Sequence, residues 1–203
     1  MLHVGLTGSI AVGKSYVTSV FEELGAHVAD ADKLARDVVA VGSPGLEAVV
    51  SAFGRDLLMA DGTLNRADLG AIIFADPKQR ERLNSILHPL IFAAQDEVLR
   101  GWREIDPQGI GIIDASLLIE SGGYRRFDQV VVVFCRPEVQ LMRLRERDQI
   151  SESEAQRRIA SQLPQSEKLR YANFRIDTSL GFVEARRQTV EVYEQLRLLA
   201  DQP

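Results

Sequence analysis

Gly8-Ser9-Ile10-Ala11-Val12-Gly13-Lys14-Ser15 fills the pattern G-x-x-x-x-G-K-[ST] in full. The chemistry of phosphate binding asks for these residue types. Glycines let the backbone N–H groups turn inward around phosphate oxygens. A helix beginning near Lys14 adds its positive N-terminal end. In such a loop Lys14 reaches the β- and γ-phosphates and Ser15 holds magnesium. Context supports the motif, because the apolar run Leu2–Thr7 before it reads as a strand and residues 14–24 after it as a helix. The expected ligand is a nucleoside triphosphate, with Gly8, Ala11, Val12, Gly13, Lys14, Ser15 and Tyr16 around its phosphates.

Outward from the loop, short strand-like runs alternate with longer helical ones. Leu2–Thr7, Ala26–Ala29, Gly109–Asp114, Gln129–Phe134 and Phe174–Asp177 read as strands. Three of them are nearly continuous apolar runs, as in a sheet buried on both faces. Residues 14–24, 63–75, 77–86, 89–104, 137–148, 151–162 and 182–200 read as helices. This alternation predicts an α/β fold with a mainly parallel sheet. Gly25 suits a left-handed helix end. Pro89 reads as the first residue of a helix. Ser151 and Glu154 form a capping box. The helical stretch from Asp61 to about Glu104 is too long for a simple crossover and reads as an insert.

In open α/β sheets, ligands lie beyond the carboxyl ends of the strands. Asp32 follows the second strand, where it either orients an acceptor hydroxyl and takes its proton or caps the next helix. Asp114 ends an apolar run, so it holds magnesium through water or is an ordinary turn residue. Arg143 and Arg147 share a helix face. They neutralise charge on a transferring group or form a solvated face with Glu138, Glu146 and Asp148. His88 binds substrate phosphate or caps the helix that starts at Pro89. Cys135 and Trp102 read as packing residues.

Composition narrows the classes. The chain has 203 residues, 45% apolar and 26% charged, which fits one ordinary globular domain. A net charge of −5 argues against a dedicated nucleic-acid binder. The basic residues are 20 Arg and 4 Lys, suited to bidentate phosphate pairs or reflecting genome composition. One cysteine allows neither an internal disulfide nor a cysteine zinc site. The longest apolar run, Val130–Cys135, is too short to cross a bilayer, and the start of the chain does not read as a signal peptide. The expected location is cytoplasmic, with no membrane contact and no obligate protein partner evident.

Several ordered motifs together resemble the dephospho-CoA kinase family. They are Val4–Ser15, Asp30-Ala31-Asp32…Ala35-Arg36, Asn65-Arg66…Leu69 with Phe74, and Leu83-Asn84…His88-Pro89. Asp114…Leu117-Leu118-Ile119-Glu120, Gln140…Arg143…Arg147-Asp148 and Arg158-Ile159…Gln162 follow in order. The resemblance spans about residues 3–181. It implies a P-loop NTPase fold, a three-layer α/β/α sandwich with a five-stranded sheet, a helical acceptor-binding insert and a helical lid. It implies a core of about 1–60, 108–136 and 169–203, an insert of about 61–107 and a lid of about 137–168. The implied reaction is phosphorylation of the ribose 3′-hydroxyl of dephospho-CoA by ATP with Mg2+. The implied catalytic residues are Asp32 as base, Lys14, Arg143 and Arg147. The implied substrate residues are Arg66, His88, Asp114, Leu117 and Glu120. The chain departs from the family pattern at Ser9, Ser116, Ile119, Asn173 and Thr178. Another P-loop small-molecule or nucleotide kinase is the alternative, followed by a non-catalytic nucleotide switch. A guanine-specific switch is disfavoured, because the chain has no Asn-Lys pair.

Overall fold

The computed structural model describes residues Met1–Asp201. Two compact units emerge: Met1–Asp30 with the chain from Leu99 onward, and Ala31–Val98.

The first unit is built on five strands, β1 (Leu2–Gly8), β2 (His27–Asp30), β3 (Ile110–Asp114), β4 (Gln129–Phe134) and β5 (Phe174–Asp177). Their order is β2-β3-β1-β4-β5 and every pairing is parallel. Side chains alternate between the two sheet faces. Val4, Leu6, Val131 and Val133 point to one face, where they pack with Val17 and Phe21 of α1 (Lys14–Glu23) and Val192 and Leu196 of α9 (Phe182–Ala200). Val130 and Val132 point to the other, against Leu118 and Ile119 with Leu163 and Leu169. Leu99 and Trp102 close on Gly111 of β3. Helical and loop layers therefore cover both faces, the three-layer arrangement expected. Because the strands are parallel, Gly8, Asp30, Asp114, Phe134 and Asp177 end at one edge. After β4 come α6 (Pro137–Asp148), α7 (Glu152–Ala160) and the single turn α8 (Gln165–Lys168). The Ser151 hydroxyl accepts the Glu154 amide, as its capping box predicts.

The second unit holds α2 (Ala31–Asp37), α3 (Pro44–Phe53), α4 (Arg66–Ala75) and most of α5 (Pro77–Ile105). Its own core is Val39, Leu46, Val49, Leu57, Leu64, Leu69 and Leu83. Ser43 caps α3, with Pro44 at the first turn, and Asn65 caps α4.

Three differences from the sequence reading stand out. Helix α3 was not anticipated, the helix expected to start near Lys33 begins at Ala31 as α2, and residues 31–60, counted with the nucleotide-binding core, fall in the second unit. Asp32 lies inside the first turn of α2, so it is not that helix's N-cap. Pro89 does not begin a helix but sits within α5, which runs unbroken from Pro77. A proline inside a helix lacks one backbone hydrogen bond. The apolar face of α5, with Leu83 buried and Ile86 and Leu87 packed against the same core, offsets that loss.

Candidate active site

The phosphate loop bridges β1 and α1, and its two glycines answer different demands. A Cβ on Gly8 would lie 2.6 Å from the Val133 carbonyl oxygen, so only glycine permits this approach to β4. Gly13 adopts φ 86°, a left-handed conformation disfavoured for other residues. Gly13 also stands at the N-cap of α1 and supplies no side-chain acceptor. The first amides of α1 are thus left for an anion.

The loop's shape is held from outside. The Ile10 amide donates to Gln162 Oε1 at 2.8 Å, and the Ile10 carbonyl accepts from Gln140 Nε2 at 2.8 Å. Gln140 is buried, and its other amide end accepts from Gln165 Nε2 at 2.7 Å. The Thr178 hydroxyl donates to the Val12 carbonyl at 2.6 Å. Ser9 is buried and its hydroxyl has no hydrogen-bond partner among the described residues.

Lys14 and Asp114 form an ion pair, both mostly shielded from solvent. Thr18, one turn along α1 from Lys14, donates to the other Asp114 oxygen at 2.9 Å. Asp114 is therefore the counter-ion of Lys14, where the sequence pointed to a magnesium or substrate role. Ser15 is exposed at the start of α1. Tyr16 follows it, with its ring 4.6 Å from that of Phe182.

The two arginines of α6 differ. Arg143 gives one Nη to the Thr178 hydroxyl and the other to the Thr178 carbonyl, each at 2.8 Å. A Cβ on Gly13 would be 3.4 Å from that guanidinium, so Arg143 lies alongside the phosphate loop. Arg147 instead pairs with Asp148 at 2.7 Å, and Asp148 also takes Arg158 at 2.8 Å. Hydrogen bonding between them lowers the Asp148 pKa and raises that of Arg147. The structure brings Lys14, Asp114 and Arg143 to the loop and joins Arg147 to the Asp148 network. Glu120 accepts from Lys168 at 2.9 Å and from the Leu163 amide at 3.2 Å, and Leu117 is exposed. Cys135 is buried, and burial pushes its thiol pKa up to about 11, so it stays protonated at neutral pH.

Within the second unit, Asp32 is exposed in the first turn of α2, where the helix dipole favours an anion. Arg66 is exposed at the start of α4 and donates to the Arg36 carbonyl at 3.3 Å. His88 is half-buried within α5, its ring 5.6 Å from that of Phe92.

Comparison with known proteins bears on what these residues serve. The family model for dephospho-CoA kinase matches residues 2–184. The chain belongs to the dephospho-CoA kinase family. A dephospho-CoA kinase from Geobacter metallireducens is 43% identical over 195 residues, covering 96% of each chain. The structure of dephospho-CoA kinase from Campylobacter jejuni is similar at a TM-score of 0.70 and 29% identity, covering 97% of each chain. A Thermus thermophilus structure shares the fold at a TM-score of 0.84 and 24% identity, covering 96% of this chain and 97% of that one.

In this dephospho-CoA kinase family member the sequence left three partners unassigned: Thr18, which holds Asp114, and Gln140 and Gln162, which hold the loop. Thr18 was legible as the residue one turn from Lys14 on the same helix face. Gln140 and Gln162 stood in recognised motifs, but nothing in the spacing assigned them to Ile10. Two departures from the family pattern acquire definite partners. Asn173 accepts the Val130 amide at 2.8 Å, and Thr178 joins Arg143 to Val12.

Proposed function

We propose that this chain transfers the γ-phosphoryl group of ATP to the ribose 3′-hydroxyl of dephospho-CoA, releasing ADP and CoA. The carrying observation is the family match over residues 2–184 together with an intact phosphate loop whose lysine is paired to Asp114.

The residues take the following parts in this reading. The amides from Ala11 to Tyr16, with Gly8 and Gly13 shaping the turn, surround the ATP phosphates. Lys14 leaves Asp114 for the β- and γ-phosphates when nucleotide binds. Magnesium fits the donors present, because Ser15 offers an exposed hydroxyl and Asp114 a carboxylate within reach of a bound water. When bound, the ion would neutralise charge on the β- and γ-oxygens. Ser15 would hold it together with those oxygens.

Asp32 orients the 3′-hydroxyl and accepts its proton as the new O–P bond forms and the bond to the ADP oxygen breaks. The transition state is loose, so positioning and electrostatics supply most of the acceleration. Arg143 and Arg147 neutralise the transferring group. Arg66, His88, Leu117 and Glu120 bind the acceptor. Residues of about 61–107 serve as the acceptor insert and about 137–168 as a lid. No described helix is long and apolar enough to cross a membrane. A cytoplasmic location goes with the proposed use of ATP and dephospho-CoA.

A product assay by mass spectrometry tests the reading. Protein, magnesium and ATP are incubated with dephospho-CoA and, separately, with AMP, CMP and adenosine. CoA formed from dephospho-CoA alone is the expected result. Phosphorylation of another acceptor, with no CoA, would move the chain to a different P-loop kinase activity.

A further inference from the structure

Lys168 closes the turn α8 and is fully buried, which is costly for an ammonium unless it is paired. Its Nζ donates to the Ser116 carbonyl at 2.8 Å and meets Glu120 Oε1 at 2.9 Å. The same Glu120 oxygen accepts the Leu163 amide, so both ends of the segment 163–168 grip one carboxylate. The Ser116 carbonyl also accepts the Thr7 hydroxyl at 3.4 Å. A buried ion pair adds little net stability over an apolar replacement. What this pair supplies is geometry, since it fixes the loop after β3 at Ser116 and at Glu120. Between those points the loop presents Leu117, an apolar side chain 52% exposed. The loop begins directly after Asp114, the partner of Lys14.

We propose that Lys168 is a positioning residue for the acceptor, holding residues 115–120 in the shape that presents Leu117 to dephospho-CoA. This rests on the phosphoryl-transfer reading above. The phosphate loop is also held by Thr178, outside the segment 163–168, and lies further along the hydrogen-bond chain from Lys168 than residues 115–120 do, so loosening Lys168 acts first on the acceptor loop.

The test compares wild type, Lys168→Met and Lys168→Arg by hydrogen exchange and by steady-state kinetics with each substrate varied. In Lys168→Met, exchange of the 115–122 amides should rise about tenfold, with the phosphate-loop amides unchanged. KM for dephospho-CoA should rise about tenfold or more while KM for ATP stays within about twofold. Lys168→Arg, which keeps the charge and the donors, should recover part of both effects. Unchanged exchange at 115–122, or equal losses for both substrates, would overturn the proposal. If Lys168→Met does not fold, Glu120→Gln weakens the same anchor isosterically, and the exchange of 115–122 decides in the same way. A wild type that makes no CoA would defeat the functional reading, whereas the exchange result would still decide what Lys168 holds.

Discussion

Around the phosphate loop, Lys14 is held by Asp114, Arg143 by Thr178, and Ile10 by two glutamines. In the unit Ala31–Val98, Asp32 and Arg66 stand exposed in the first turns of α2 and α4. Under the proposed function, the contrast matches two different chemistries. Groups that stabilise phosphate charge work best when already oriented, because no reorganisation is then needed during reaction. Groups that receive an acceptor must remain reachable until it arrives. One region is built of short hydrogen bonds and an ion pair among buried and half-buried groups, and the other of helix starts open to solvent.

Lys14→Ala should lower kcat/KM by about a thousandfold and weaken ATP binding, read by kinetics and nucleotide titration. Activity near wild type would remove the lysine from the phosphate site. On the acceptor side, Asp32→Asn should lower kcat by about 10²–10⁴-fold with ATP affinity retained. If that variant turned over normally, proton acceptance would have to lie elsewhere.

A finer cut falls within the loop's support. Thr178→Val removes the hydroxyl between Arg143 and Val12 while keeping the shape. It should raise KM for ATP about tenfold and leave KM for dephospho-CoA unchanged, with Thr178→Ser restoring the wild-type value. Equal behaviour of the valine and serine variants would make the hydroxyl irrelevant. The smallest effect is expected at Ser9. Its buried hydroxyl lacks a partner, and such a group costs about 1–3 kcal/mol. Ser9→Ala should raise stability by about 1 kcal/mol in denaturant unfolding. A loss of stability would mean that the hydroxyl is satisfied in solution.

The fold of the first unit was legible because its strands are short apolar runs followed by chemistry-bearing residues. Leu2–Gly8 and Gln129–Phe134 differ from their reading by one residue at most. Helix α3 was harder to read, although Ser43-Pro44 is a good start signal, because Gly45, Val49 and Val50 are weak helix formers. Pro89 misled for a related reason. Local rules stop a helix there, and packing of the α5 face overrides them. At the site, the residues of a contiguous motif could be read directly. The Lys14–Asp114 pair spans a hundred positions, and the Thr178–Val12 bond still more. Such contacts are made by strand order, which no local pattern encodes.

The buried thiol of Cys135 gives the protein a built-in gauge of its own opening. It is the sole cysteine, it sits in the main core, and it is held protonated at neutral pH. A thiol reagent can reach it only when that core opens, so the labelling rate reports the open population. Any ligand that binds only the closed protein slows labelling in proportion to its occupancy. Affinities for nucleotide and acceptor can then be measured one at a time, with no turnover and no added probe.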